Sequence, residues 1–181
     1  VLDRQGNEVT TSVTNLDVHD IARSSRTYGL HGYFVVIPIE AQHPVVQKII
    51  DHWSTGAGIK RFPERTEAIA LVRIARTLDD AIATIETETG RAPRLVATSA
   101  RGGSDRQSYA DERKAQSEDP RPTLLLFGTG HGLSPTVLGR CDAILAPIEG
   151  PTPYNHLSVR AAVAITLDRL FGRERGPNNA I

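Results

Sequence analysis

Leu124-Leu-Leu-Phe-Gly-Thr-Gly-His-Gly-Leu133 decides how this chain folds. Thr123–Phe127 is a short apolar run that stops at glycine, the pattern of a parallel strand buried on both faces. Gly128, Gly130 and Gly132 then let the backbone turn tightly and approach a ligand closely. The same order recurs on both sides. Arg94–Thr98 runs into the small-residue loop Ser99–Ser104, and Ala143–Pro147 runs into Ile148–Asn155. Upstream, Tyr33–Ile39 and Ile69–Ile74 also read as strands.

Helical patterns separate these strands. Pro44 sits at a helix start, where its missing N–H costs nothing, and Val46, Ile49, Ile50 and Trp53 follow at helical spacing up to Gly56 and Gly58. Thr77 and Asp80 form a capping box ahead of the stripe Leu78, Ala81, Ile82 and Ile85, which Gly90 stops. A closing helix from His156 to Phe171 turns Val159, Val163, Leu167 and Leu170 inward. The charged stretch Asp105–Arg121 reads as a solvated helix and linker. Alternating β and α with buried strands predicts an α/β domain with a mostly parallel sheet flanked by helices. In such sheets ligands bind beyond the carboxyl ends of the strands, where all three small-residue loops lie.

Composition narrows the function classes. The 181 residues suit one domain, expected over 1–172 with a flexible tail at 173–181. Lys and Arg (21) balance Asp and Glu (21), so any polyanion must be held by a local patch rather than by global charge. Cys141 is the only cysteine, which excludes an internal disulfide and a Cys-based zinc site and fits a reducing cytoplasm; no metal site is expected. No apolar run approaches the ~20 residues of a membrane helix. The chain has no Met and opens at Val1 in a polar stretch without structural signal. Either an initiator Met was removed or a longer protein precedes it.

Three segments carry chemistry. The glycine loop lacks the Lys-Ser/Thr of a phosphate-binding Walker loop, and its Gly-x-Gly-x-Gly spacing departs from the dinucleotide fingerprint; alone it fits a plain tight turn equally well. The second segment is Leu145-Ala-Pro-Ile-Glu-Gly-Pro-Thr-Pro-Tyr-Asn-His-Leu-Ser-Val-Arg160. Its proline-stiffened loop delivers Asn155, His156 and Ser158 to a helix start, where N–H groups are free. Capping accounts for one such residue but not for the whole polar run. The third is Asn15-Leu-Asp-Val-His-Asp-Ile-Ala-Arg-Ser-Ser-Arg-Thr-Tyr-Gly29. Val18, Ile21, Ala22 and Ser25 share a face of this helix, and Arg23 and Arg26 lie elsewhere. They are either a solvated basic face or a phosphate grip. Lys60, Arg61 and Arg65 form a separate cluster, read as a solvated loop more readily than as an RNA track.

Together these segments resemble the three motifs of the SPOUT RNA methyltransferases, most closely the ribose 2′-O (SpoU) branch. Arg23 and Gly29 keep the spacing of its early helix; Phe127, Gly128, Gly132, Leu133 and Ser134 match its second motif; Ala146-Pro147-Ile148 and Leu157-Ser158-Val159 fall on its third. The run also looks like a smaller family of stand-alone or fused RNA methyltransferase domains. There are three departures. The second-motif Glu is absent, with Gly130 and His131 in a loop one residue shorter. Asp17 replaces an Asn. The third-motif Asn is displaced, so that Asn155 or His156 takes its place.

The resemblance implies a C-terminal deep trefoil knot, an exception to the rule against knots. It implies S-adenosylmethionine bound by Thr98, Gly128, Gly130, Gly132, Ala146, Ile148 and Leu157, catalytic roles for Arg23, Asn155, His156 and Ser158, and RNA contacts from Arg23 and Arg26. It also implies a homodimer in which one subunit's cofactor faces the other's early motif. The expected activity is 2′-O-methylation of tRNA or rRNA. Base methylation, such as guanine N1 of tRNA, and a catalytically silent RNA-binding domain are the alternatives. His131, His156, His19 and Asp20 are the candidates for handling the proton of the attacking hydroxyl.

Overall fold

The computed structural model describes residues 1–55 and 62–173. The first helix, α1 (Asn15–Thr27), starts where the Thr14 hydroxyl accepts the Asp17 amide, and it buries Val18, Ile21, Ala22 and Ser25, the face read from the sequence. Gly29, at φ 71°, reverses the chain into β1 (Tyr33–Val36), which pairs in parallel with β2 (Val72–Ala75), Tyr33 opposite Val72. Between them lie a 3-10 turn (Glu40–Gln42), α2 (His43–Thr55) and α3 (Pro63–Ile69). The expected stop of α2 at Gly56 and Gly58 lies outside the described residues, as do Lys60, Arg61 and residues 174–181 of the expected tail.

Helix α4 (Leu78–Thr89) opens with the expected Thr77–Asp80 capping box and ends at Gly90 in the left-handed conformation. The second sheet is centred on β3 (Arg94–Ala97), buried throughout, with β4 (Thr123–Leu126) on one side and β5 (Ala143–Ile144) on the other, both parallel to it. Helices α5 (Tyr109–Glu118), α6 (Pro135–Leu138) and α7 (Val159–Phe171) complete the chain.

Four features differ from the sequence reading. The strands form two parallel sheets, β1-β2 and β4-β3-β5, instead of one. Ile69 ends α3 rather than opening β2. Pro63 sets the first turn of that helix, and the apolar run Ala68–Val72 is short enough to serve either period. The strand expected over Ala143–Pro147 keeps two residues, because Leu145 continues against Gln107, whose carbonyl takes the Ala146 amide. Helix α7 starts at Val159, since the Ser158 hydroxyl caps it by accepting the Ala161 amide; His156 precedes the helix.

The stretch Asp105–Arg121 is the solvated helix and linker read from the sequence, with one exception. Glu112 on α5 is fully buried, paired at 2.5 Å with the buried Arg94 of β3. A charge enters a core only with a partner. Overall composition hid a pair formed between residues distant in sequence.

Helix α1 joins the two halves. Val18 and Ala22 pack with Val35, Ile37, Val46 and Ile69, while Ile21 packs with Val163 and Leu167 of α7. The early motif is therefore fixed against both the first sheet and the closing helix.

Candidate functional site

The three loops meet at the carboxyl edge of the second sheet. Thr98 is held in place by its amide and its hydroxyl, each 3.0 Å from the Leu126 carbonyl oxygen. The Asn155 side-chain amide donates to the Ala100 carbonyl at 2.9 Å, which ties the proline-rich loop to the loop after β3. The glycine loop folds on itself. A Cβ on Gly128 would lie 2.8 Å from the Leu133 nitrogen, and Gly130 and Gly132 adopt φ of 59° and 99°, values that favour glycine.

These loops fit a ligand gripped by backbone. Gly128 and Ile148 are half-buried, and no hydrogen bond among the described residues engages their amides. Orphan amides beside a loop that admits no side chain form a cradle for polar ligand atoms. Ala146 uses its amide on Gln107, so it contributes shape rather than a donor. Leu157 is exposed, as is Tyr154, whose ring meets that of His156 at 5.2 Å.

The N-terminal stretch, polar and silent in sequence, lies on this loop. The Leu2 amide donates to the Gly132 carbonyl, and the His131 amide donates to the Leu2 carbonyl, both at 3.0 Å. Thr11 and Thr129 share a hydroxyl contact of 2.5 Å. The Leu2 oxygen would sit 2.8 Å from a Cβ on Gly130, so that glycine serves the N-terminal segment as well as the turn. Nothing in the residues near Leu2 signals this, because two backbone bonds need no particular side chain.

Helix α1 approaches from the other side. The Arg160 guanidinium lies 3.1 Å from Asp17 and 3.4 Å from Asp20, joining the first motif to the start of α7 within one chain. Asp17 thus has an ionic partner that the Asn of the ribose branch would lack. Arg26 pairs with Glu67 of α3 at 2.8 Å. Arg23 is exposed and, among the described residues, forms no ion pair or hydrogen bond. It faces a groove of about 610 Å³ that also takes in Lys48, His52, Trp53 and Arg65, beyond the three loops. The structure therefore brings Thr98, Gly128, Asn155 and their neighbours together, joins them to α1 through Arg160, and sets Arg23 on a different wall. Of the proton-handling candidates, His131 and His156 are exposed beside the loops, Asp20 is engaged by Arg160, and His19 lines the Arg23 groove. Burial, then the Arg65 charge, holds His19 below its ordinary pKa.

Parallel strands that open onto glycine- and proline-shaped loops, with α1 packed beside them, form an α/β domain whose ligand site lies at the carboxyl edge of its sheet. Comparison with known proteins identifies the family. Residues 1–172 match the model of the SAM-dependent RNA methyltransferase family, and the chain belongs to that family, whose cofactor is S-adenosylmethionine. It is 47% identical over 172 residues to a tRNA (guanine-N(1)-)-methyltransferase of Oleidesulfovibrio alaskensis, covering 95% of this chain but 40% of that protein. It is also 47% identical over 174 residues to an uncharacterized protein of Aquifex aeolicus, covering 96% of this chain and 85% of that one. The fold resembles TrmJ from Z. mobilis (TM-score 0.58, 17% identity, 89% of this chain and 66% of that one). It also resembles the SpoU methyltransferase AviRb from Streptomyces viridochromogenes, solved with AdoMet (TM-score 0.56, 19% identity, 88% and 56%). The resemblance read from the three motifs is borne out.

Proposed function

We propose that this chain methylates the ribose 2′-oxygen of a tRNA or rRNA nucleotide. The observation that carries this reading is the link from Arg160 to Asp17 and Asp20, which holds the early helix against the start of α7, directly after Asn155, His156 and Ser158. That link fixes the early helix relative to the loop before α7, so that in a homodimer each early motif is held in one orientation towards the partner's cofactor site. S-adenosylmethionine supplies the methyl group. Thr98, Gly128, Gly130, Gly132, Ala146, Ile148 and Leu157 hold it, mostly by backbone. Asn155 keeps two loops together. Ser158 caps α7 and so orients the residues before it. His156 or His131 takes the proton of the attacking hydroxyl. Arg23 and Arg26 face the RNA; Arg26 does so by exchanging Glu67 for a phosphate.

We extend the resemblance to a trefoil knot in the C-terminal part, which the strand order β4-β3-β5 is compatible with. We place residues 1–172 in one domain followed by a short tail, acting in the cytoplasm as a homodimer that covers the exposed Tyr154 and Leu157. Among the described residues no helix is long and apolar enough to cross a membrane.

Guanine N1 methylation is the second reading, favoured by the name of the Oleidesulfovibrio relative. The chain spans only 40% of that protein, so its activity is that of a longer molecule. Incubation with labelled S-adenosylmethionine and tRNA or rRNA, followed by nuclease digestion and mass analysis, decides. A 2′-O-methylated nucleotide supports the first reading; 1-methylguanine replaces it with the second. Cofactor binding without transfer to any RNA would leave a silent RNA-binding domain, and both would fall.

A further inference from the structure

The groove walled by α1, α2 and α3 is lined by none of the residues proposed to hold the cofactor, and it has a definite chemistry. Trp53 forms its aromatic centre. The Arg65 guanidinium lies over the indole at 4.8 Å from the ring centroid, and the rings of His19 and His52 meet it edge-on at 5.7 and 5.1 Å. Arg23 and Lys48 stand exposed on the wall without an ion pair among the described residues. The groove's one carboxylate, Asp20, is already engaged by Arg160. His19 adds a buried Nδ1 with no hydrogen-bond partner. In a chain of zero formal net charge, this concentration of cations around a cluster of planar groups is local.

We propose that this groove is a binding subsite for one unstacked nucleotide of single-stranded RNA, separate from the cofactor loops. Sequence-tolerant recognition of single strands combines cationic side chains that track the phosphates with aromatic and guanidinium planes that stack the bases. Trp53 and Arg65 supply the planes, and Arg23 and Lys48 the cations. A volume of about 610 Å³ lies within the range of small-ligand sites. An acidic peptide would use the cations but leave the planar groups idle, so RNA is the better match. The inference rests on the methyltransferase reading and deepens it, since a nucleotide held here anchors the substrate strand away from the reacting one.

Trp53 is the chain's only tryptophan, so its fluorescence reports on this groove alone. Titrating the full chain with a single-stranded oligoribonucleotide should quench it, with an affinity that falls as salt rises. Lys48→Ala and Arg65→Ala should weaken binding of a labelled oligoribonucleotide, and Trp53→Leu by roughly five- to a hundredfold. S-adenosylmethionine affinity should remain unchanged, which also confirms that the variants fold. RNA that binds without quenching, and equally well to all three variants, overturns the subsite while leaving the methyltransferase reading intact. Equal quenching by an acidic peptide or inorganic phosphate reveals a general anion groove and overturns it too. A chain that binds S-adenosylmethionine but no RNA refutes both.

Discussion

The guanidinium of Arg160, on the first turn of α7, lies 3.1 Å from the carboxylate of Asp17 on α1. The two residues stand 143 positions apart and belong to different motifs. Both side chains are partly exposed, so the pair contributes only about 1 kcal/mol, and its larger effect is on geometry. Arg160→Ala should lower stability by that order in urea unfolding, yet reduce methyl transfer more than the stability loss explains. Asp17→Asn should retain more activity than Asp17→Ala, because the amide can still accept from Arg160. Equal activity in all three variants, measured on an RNA already shown to be a substrate, would mean that the link is decorative.

The glycine loop gives a sharper contrast. Gly128→Ala puts a Cβ 2.8 Å from backbone, whereas a Cβ at Gly150 meets nothing within 4 Å. Gly128→Ala should reduce S-adenosylmethionine affinity at least tenfold, or unfold the loop altogether. Gly150→Ala should leave the fold and the affinity nearly unchanged. Calorimetry on both proteins, with circular dichroism as the folding check, tests this; normal affinity in folded Gly128→Ala would remove the loop from the cofactor site.

How much of this was legible from residues alone follows from what each element depends on. The buried face of α1, the Thr77 cap and strands β1, β3 and β4 were readable, because period, capping residues and apolar runs are local properties. The glycine loop was readable as a tight turn for the same reason. The contacts of Leu2 with Gly132 and His131 were not, since they involve only backbone. In sequence Arg65 reads as loop charge with Lys60 and Arg61, whereas its guanidinium lies over the rings of Trp53 and Phe62. Lys48 and His52 carry no signal in the sequence, because the groove they line forms only when α2 packs beside α1, and no motif spans that contact.

Arg94 and Glu112 show the cost of a charge pair hidden from sequence. The side chains are 7% and 0% exposed, and Glu112 also accepts from Gln116 at 3.0 Å. Glu112→Ala strands the Arg94 charge beneath the sheet, and breaking a buried pair in this way typically costs about 3–5 kcal/mol. Replacing both residues together, as Arg94→Met with Glu112→Leu, should cost far less. Chemical unfolding of the single and double variants measures the difference, and additive effects would refute the coupling.

His19 ties stability to pH. Its depressed pKa, below the ordinary 6.5, comes first from burial and then from Arg65. The fold therefore favours the neutral ring, and the unfolded chain takes up a proton more readily. This contribution is complete above about pH 6.5 and is lost as pH falls below it. Unfolding free energy should drop between pH 7.5 and 5.5, and drop less in His19→Gln. An equal drop in both proteins would assign the acid sensitivity to other groups.

Arg23 separates substrate from cofactor. It stands exposed on α1 and lines a groove that includes no residue of the three loops, and no acid within the described chain neutralises it. A guanidinium left free in this way can grip a phosphate or stabilise negative charge developing on oxygen, and it matters once RNA is present. Arg23→Ala should keep the fold and the S-adenosylmethionine affinity, and lower the transfer rate by about 10²–10³. Arg23→Lys should recover only part of that loss, because a point charge does not reproduce the guanidinium fork. Single-turnover rates on a substrate RNA, paired with calorimetry for the cofactor, distinguish the outcomes. A normal rate in Arg23→Ala would return this residue to the solvated surface. Lost cofactor binding would move it into the pocket and require α1 to approach the loops more closely than Arg160 now holds it.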